Sequence, residues 1–161
     1  MTLLASDLFS VVGKIALVTG ATGYLGQIMC RVLKENGATV IGTWANTEVS
    51  YNVAQEKELC FRIVRVDAND PIDATEKLHG LDNSYLFDVL INNAHPMSSE
   101  AGFNDKRDQI QNYSHAEWQQ NINGAIGLPT LTTSIIGAGM KERGHGSIIN
   151  VATMYALVAP H

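Results

Sequence analysis

The stretch Leu17-Val18-Thr19-Gly20-Ala21-Thr22-Gly23-Tyr24-Leu25-Gly26 decides the fold. It starts inside an apolar run over residues 14–18, which is short enough to be a strand buried on both faces. It then passes three glycines spaced three apart and enters a helical pattern. A strand that turns tightly into a helix leaves the first helical N–H groups without partners, and these groups and the helix dipole together attract anions. The stretch predicts a binding site for a diphosphate. The alternative interpretation is a strand–turn–helix corner that binds no ligand.

Glycine suits such a site for two physical reasons. At the turn it tolerates a positive φ and, lacking a Cβ, lets a phosphate approach the backbone. One turn into the helix it lets the helix pack close to the strand. We therefore expect dinucleotide contacts from the turn and the first helical residues, namely Gly20, Thr22, Gly23, Tyr24, Leu25 and Gly26.

Length and composition describe one globular domain over residues 1–161. A net charge of −5 without a Lys/Arg cluster argues against a nucleic-acid surface. No stretch approaches the roughly 20 apolar residues that a membrane helix needs, and residues 1–12 lack the features of a signal peptide. Cys30 and Cys60 have neither metal-ligand spacing nor a disulfide framework. We expect no metal site, no membrane partner and a cytoplasmic protein.

Strand and helix patterns alternate along the chain. Helices are predicted over residues 24–36, from residue 71 to about residue 78 behind an Asp70 N-cap, and from Ser114 to about residue 141, with Glu117 completing a capping box. Apolar runs predict further strands over residues 38–43, 60–66, 85–91 and 147–152. The alternation predicts an α/β fold, a doubly wound parallel sheet of the Rossmann type with about five strands and helices on both faces.

Each distinctive polar cluster follows a predicted strand. The clusters are residues 20–26, Asp67, residues 92–95 and Thr153. The carboxyl ends of parallel strands lie along one edge of the sheet, where open α/β sheets bind ligands. We therefore expect the clusters to belong to one site.

Four motifs in this order resemble the short-chain dehydrogenase/reductase family, across essentially the whole chain. They are Gly13-Lys14-Ile15-Ala16-Leu17-Val18-Thr19-Gly20, Asn92-Asn93-Ala94, Asn121-Ile122-Asn123-Gly124 and Gly146-Ser147-Ile148-Ile149-Asn150-Val151-Ala152-Thr153. The resemblance implies a Rossmann domain that binds NAD or NADP. It also implies hydride transfer between the nicotinamide and a carbonyl/alcohol substrate.

The resemblance assigns cofactor contacts beyond the glycine turn. Asp67, followed by Ala68, stands where an acidic side chain contacts the adenine amine. Asn93, Ala94 and His95 stand where the family lines the cofactor with backbone. From the residues alone, a strand-end cap for Asp67 and a loop-shaping role for His95 stay open.

Two catalytic roles are implied in the same way. Asn121 takes the position of an asparagine that holds a water in the proton relay, and Thr153 takes that of the active-site serine. The residues alone also allow a solvated helical asparagine and a turn hydroxyl.

The chain departs from the family pattern in four places. The glycine spacing resembles the family's extended branch, which acts on sugar nucleotides. His95 stands where glycine is usual, and Thr153 where serine is usual. The family's Tyr-x-x-x-Lys pair, which exchanges the proton, is absent, because Tyr155 is too close to Thr153 and Ala159 stands where lysine is needed. We therefore expect a truncated form, an incomplete domain that lacks the C-terminal part of the family fold.

The end of the second predicted strand leaves the cofactor choice open. An acid there usually holds the ribose hydroxyls of NAD, and an arginine accommodates the extra phosphate of NADP. Thr43, Trp44 and Ala45 supply neither. We expect Thr43 to contact the cofactor, which is NAD or NADP.

The function predicted from the sequence is therefore that of an NAD(P)-dependent oxidoreductase acting on a small carbonyl or alcohol, with a sugar-derived substrate as one option. Two alternatives stay open: a catalytically inactive dinucleotide sensor, and a fragment of a sugar-nucleotide epimerase or dehydratase. An uncovered sheet edge after the fifth strand would expose apolar surface, so we expect a homo-oligomer.

Overall fold

A computed structural model describes residues 9–45, 60–95 and 114–152. Its strands are β1 (Ile15–Val18), β2 (Thr39–Trp44), β3 (Arg62–Arg65), β4 (Val89–Asn92) and β5 (Ser147–Asn150). Its helices are α1 (Tyr24–Glu35), α2 (Pro71–Tyr85), α3 (His115–Ile122) and α4 (Leu128–Arg143), and a π-helical turn (Asn123–Gly127) joins α3 to α4. The strands form one five-stranded sheet in the order β3-β2-β1-β4-β5.

Every strand pair in this sheet is parallel. Leu17 of β1 lies beside Ile41 of β2 on one side and Leu90 of β4 on the other. Strand order reverses at β1, because β2 and β3 lie to one side of it and β4 and β5 to the other. Crevices at such reversals are where open α/β sheets bind ligands.

Helices cover both faces of the sheet. On one face a buried cluster packs strand residues such as Leu17 and Leu90 against Leu78 of α2 and Ile136 of α4. On the other face a smaller cluster around Val18 includes Cys30 of α1. The predicted doubly wound α/β fold is confirmed.

Within the described residues β5 is an edge strand of the sheet, and its four residues are all exposed. Ile148 is 37% exposed and Ile149 is 48% exposed, so apolar side chains lie on the surface at this edge. The predicted strand over residues 147–152 is two residues shorter in the structure, because pairing with β4 ends where Asn150 lies beside Asn92.

Two predicted boundaries were wrong between the third and fourth strands. The helix predicted to end near residue 78 continues as α2 to Tyr85, and the strand predicted from residue 85 begins at Val89. The exposed Gly80 does not end the helix; the left-handed Leu86, with φ of 49°, does. Tyr85 suggests a strand by composition, but its ring lies 6.4 Å from that of Phe61 and 6.0 Å from that of Phe87 at the end of the helix.

The helix predicted from Ser114 begins with the expected capping box. The N–H of Glu117 donates to Ser114 Oγ at 3.2 Å, and the N–H of Ser114 donates to Glu117 Oε2 at 2.8 Å. The continuous helix predicted to about residue 141 is wrong in one respect, because the π-helical turn interrupts it at Asn123–Gly127. α4 then ends at Arg143 before the left-handed Gly144.

The remaining strand boundaries differ by one or two residues. β2 runs from residue 39 to residue 44 and β3 from residue 62 to residue 65. Thr153 and Tyr155 lie outside the described residues. Within the part of the chain that the structure describes, no helix is long and apolar enough to cross a bilayer.

Candidate functional site

The glycine turn sits between the end of β1 and the start of α1, at the reversal of strand order. Gly20 has a φ of +65°, in the left-handed region that glycine tolerates best. A Cβ at Gly20 would lie 2.8 Å from the Cα of Ala94, so the loop after β4 touches the turn directly. The N–H of Gly23 donates to the carbonyl of Gly20 at 3.0 Å and closes the turn.

The start of α1 fits a bound diphosphate. Gly23 is the N-cap residue, and no side chain caps the helix there. A Cβ at Gly23 would meet only the Gly20 carbonyl oxygen, at 3.3 Å, and Gly23 and Tyr24 are both exposed. An open helix N-terminus beside an exposed glycine is what an anion needs in order to approach backbone N–H groups.

Gly26 performs the packing role expected of it. It is buried on α1, and a Cβ there would collide with the carbonyl oxygen of Gly20 and lie 2.9 Å from the Cα of Ala21. The side chain of Gln27 braces the turn, because its Nε2 donates to the carbonyl of Thr22 at 2.7 Å. The turn is therefore rigid on its inner side and open on its outer side.

Thr19 locks the turn to the loop after β4. Its Oγ1, on a residue only 1% exposed, accepts from the N–H groups of Asn93 and Ala94, each at 3.0 Å. In return the Nδ2 of Asn93 donates to the carbonyls of Thr19 at 3.1 Å and Gly20 at 3.4 Å. This reciprocal set fixes the backbone of Asn93 and Ala94 against the glycine turn.

Asn92 joins three elements through one buried amide. Its Nδ2 donates to Asn150 Oδ1 of β5 at 2.8 Å and to Thr133 Oγ1 of α4 at 3.2 Å. Its Oδ1 accepts from the buried Thr132 hydroxyl at 2.7 Å. The end of β4 is thereby fastened to α4 and to the end of β5, which leads to Thr153.

The loop after β3 holds Asp67 at the same edge of the sheet. The carboxylate pairs through Oδ2 with Arg65 Nη2 at 2.9 Å and accepts the N–H of Asn69 on Oδ1 at 3.0 Å. Asp67 and Ala68 are half-buried and Asn69 is exposed. The carboxylate is thus oriented but still reachable by a ligand.

The other residues predicted from sequence lie as follows. Thr43 is buried, only 2% exposed, and its carbonyl accepts the N–H of Ala21 at 2.9 Å, so it supports the turn from behind. His95 is exposed beyond the locked loop, and Asn121 is half-buried in the last turn of α3. The turn, the Asp67 loop and the Asn93 loop meet at one edge of the sheet, while Thr153 lies outside the described residues.

Several residues that shape this edge were given no individual role from sequence. They are Thr19, Arg65, Asn69, Asn92, Asn123, Thr132, Thr133 and Asn150. Thr19 and Asn92 could have been suspected, because polar residues at the ends of buried strands need partners. The sequence contained no sign of the roles of Thr132 and Thr133, because those roles depend on which turn of α4 faces β4.

Asp88 lies at the opposite, amino edge of the sheet, beside two basic side chains. Burial alone would raise the pKa of Asp88, but the Ile15 N–H bond at 2.9 Å, together with Lys14 and His145, lowers it. Lys14 Nζ and His145 Nε2 lie 3.4 Å and 3.3 Å from Asp88 Oδ1. Among the described residues, no group of three or more His, Cys, Asp and Glu side chains could hold a metal ion.

Known proteins match this chain along most of its length. A family model described as short chain dehydrogenase matches residues 14–160. The 2-dehydro-3-deoxy-D-gluconate 5-dehydrogenase of Bacillus subtilis (strain 168) is 29% identical over 150 residues, 92% of this chain and 56% of the relative. The FabG 3-oxoacyl-(acyl-carrier-protein) reductase of Vibrio harveyi is 32% identical over 148 residues, 88% of this chain and 55% of the relative.

Solved structures share the fold. Serine dehydrogenase from Escherichia coli superimposes with a TM-score of 0.69 at 28% identity, covering 91% of this chain and 64% of that one. A putative gluconate 5-dehydrogenase from Beutenbergia cavernae gives a TM-score of 0.78 at 22% identity, covering 95% of this chain and 59% of that one, and at this identity shows the fold alone. The chain spans about half the length of the curated relatives it matches. It belongs to the short chain dehydrogenase family.

Proposed function

We propose that this chain binds NAD or NADP along the carboxyl edge of its sheet and forms part of an oxidoreductase that interconverts a carbonyl and an alcohol. The observation that carries the proposal is the glycine turn. It is open toward solvent at Gly23, uncapped at the start of α1, and locked to the Asn93 loop through Thr19. The names of the curated relatives, which are dehydrogenases and reductases, support the reaction class.

Each end of the dinucleotide has candidate partners in this arrangement. The N–H groups at the start of α1 would hold the diphosphate, and the Asp67 carboxylate would accept a hydrogen bond from the adenine amine. The Asn93–His95 backbone would lie along the nicotinamide, which supplies or accepts the hydride when bound. Asn121 would hold a water for proton transfer, and the Thr153 hydroxyl would donate to the substrate oxygen.

The substrate class we favour is a sugar-derived acid. Two curated relatives, from Bacillus subtilis and Formosa agariphila, are named 2-dehydro-3-deoxy-D-gluconate 5-dehydrogenase. We also propose a cytoplasmic homo-oligomer, because Cys30 and Cys60 are buried thiols and the apolar β5 edge is exposed. Light scattering would test the oligomer, with a monomeric mass counting against it.

The test compares two glycine substitutions by calorimetric titration with NAD and with NADP. Gly23→Ala adds a methyl group where the diphosphate would lie, at a non-positive φ and with only one neighbour at 3.3 Å. Gly80→Ala is the matched control, because a Cβ there has nothing within 4 Å and Gly80 lies on α2, remote in sequence from the turn. The Gly20 carbonyl oxygen must shift by a few tenths of an ångström to accept the new methyl group, so the melting temperature is measured beside binding. We expect a folded Gly23→Ala that binds at least tenfold more weakly, a change worth about 1.4 kcal/mol.

The outcomes separate the candidate functions. Binding by wild type and Gly80→Ala, with loss in Gly23→Ala, supports the diphosphate site. No binding of either dinucleotide by the folded wild-type chain would refute the proposal. Binding of NADH or NADPH without any loss of the reduced-nicotinamide absorbance on addition of 2-keto sugar acids and other carbonyl compounds would favour the sensor alternative for the chain alone.

A further inference from the structure

Asn123 lies where the helical geometry of the chain changes. It opens the π-helical turn, and its carbonyl oxygen accepts the N–H of Leu128, five residues on. A π-helical turn adds a residue to the helical repeat and therefore changes which direction the following side chains face. α4 uses the new direction to bury Leu128 and Ile135, whereas α3 buries none of its residues.

The side chain of Asn123 makes hydrogen bonds to two other side chains. Its Oδ1 accepts from Gln119 Nε2 at 2.9 Å, one turn earlier in α3. Its Nδ2 donates to Asn69 Oδ1 at 3.2 Å, and Asn69 belongs to the loop after β3. The second bond joins elements 54 residues apart in sequence.

Asn69 carries this link to the carboxylate of Asp67. Its backbone N–H donates to Asp67 Oδ1 at 3.0 Å, while Arg65 Nη2 holds Oδ2 at 2.9 Å. Three consecutive contacts therefore connect Asn123 to Arg65 through Asn69 and Asp67. Asn121 precedes Asn123 by two residues, so the same contacts reach the helical turn that contains Asn121.

We propose that Asn69 and Asn123 are positioning residues for adenine recognition, through which the π-helical turn holds the Asp67 loop in its binding geometry. The inference rests on the proposed dinucleotide function. It adds that residues which do not contact the adenine contribute to adenine affinity by holding Asp67 in place. The bond also connects the π-helical turn that follows α3, a helix with no fully buried residue, to the loop after β3. Neither asparagine would touch the cofactor.

The experiment measures ADP-ribose binding by calorimetry, because ADP-ribose carries the adenine and diphosphate without the nicotinamide. Asn123→Ala and Asn69→Ala should each weaken binding about three- to tenfold, the range expected for one hydrogen bond. The double variant should lose no more than either single one, since both remove the same bond. Asn69→Asp keeps the acceptor oxygen but adds a negative charge near Asp67, so it should bind more tightly than Asn69→Ala once added salt screens that charge.

Gln119→Ala is the matched control. It removes the other bond of the Asn123 side chain and leaves the contact with Asn69 in place. We expect wild-type affinity from Gln119→Ala and melting temperatures close to wild type for all variants, because these bonds are exposed.

The experiment distinguishes a failure of the proposed function from a failure of the positioning role. If the wild-type chain does not bind ADP-ribose, the proposed function fails. If the wild type binds while the two alanine variants match it, the positioning role is wrong. Losses that add in the double variant, or an equal loss in Gln119→Ala, would also overturn it, because they would point to independent or purely helical effects.

Discussion

Two parts of the binding edge are built in opposite ways. At the β1–β4 junction, defined by Thr19, Asn92 and Asn93, the buried Thr19 and the half-buried Asn93 hydrogen-bond each other's backbone, and the buried Asn92 amide bonds to side chains of β5 and α4. At the β3 loop, defined by Arg65, Asp67 and Asn69, exposed or half-buried groups hold one another at the surface. Hydrogen bonds of buried groups, as in the junction, are costly to break, whereas surface ion pairs contribute little.

The difference assigns the two parts distinct roles. The junction specifies the fold and the site together, since the glycine turn and the Asn93 loop share their bonds. The β3 loop contributes little to folding, so its contacts are available to position a ligand. Substitutions in the junction should therefore lower stability, and those in the loop should change binding.

The largest expected effect is at Thr19. Thr19→Val keeps the shape of the side chain but removes the acceptor for the N–H groups of Asn93 and Ala94. Two orphaned N–H groups should lower the free energy of unfolding by about 2–4 kcal/mol. Urea denaturation of Thr19→Val measures this loss, and a loss below 1 kcal/mol would contradict the locked junction.

The next effect is at Asn92. Asn92→Ala removes the amide that joins β4 to β5 and α4, and we expect a loss of about 2 kcal/mol. Asn36→Ala is the control, because the exposed Asn36 side chain bonds locally, to the carbonyl of Val32 in the last turn of α1. Equal urea midpoints for Asn92→Ala and Asn36→Ala would show that the buried amide does not fasten these elements.

A smaller, pH-dependent effect is expected at the amino edge of the same strand pair. The lowered pKa of Asp88 means that its ionised form stabilises the folded state above the unfolded pKa, about 4, and that this stability is lost as pH falls through the folded pKa. Asp88→Asn should be about 1 kcal/mol less stable at pH 7 and should approach wild type in acid. A stability gap between the two proteins that stays constant from pH 7 to acid would contradict this assignment.

The smallest effect on stability should come from the β3 loop. Arg65→Gln breaks the ion pair with Asp67. The Arg65 side chain is 38% exposed and the Asp67 side chain is 25% exposed. Thermal melts should show a loss below about 1 kcal/mol that shrinks further as salt is added. A loss comparable to that of Thr19→Val would erase the distinction between the two parts.

The sequence was sufficient to predict the features that depend on residues close together in the chain. Strand–helix alternation predicted the sheet, glycine spacing predicted a turn that tolerates positive φ, which Gly20 adopts, and Ser114 with Glu117 predicted a helix start. Boundaries failed where tertiary contacts overrode propensity, as where Tyr85 packs against two aromatic rings at the end of α2. The π-helical turn and the partners of Asn92 depend on how α4 docks, and composition does not encode that.

Backbone amide NMR during titration with NAD or NADP tests the central claim most directly. We predict that the signals that shift are those of the glycine turn (residues 20–26), the β3 loop around Asp67, and the loop at Asn93–His95. Signals at the amino edge, such as Ile15 beside Asp88, should stay in place. Shifts confined to the β5 edge or to the amino edge, or no shifts in the folded chain, would contradict a dinucleotide site at the carboxyl edge.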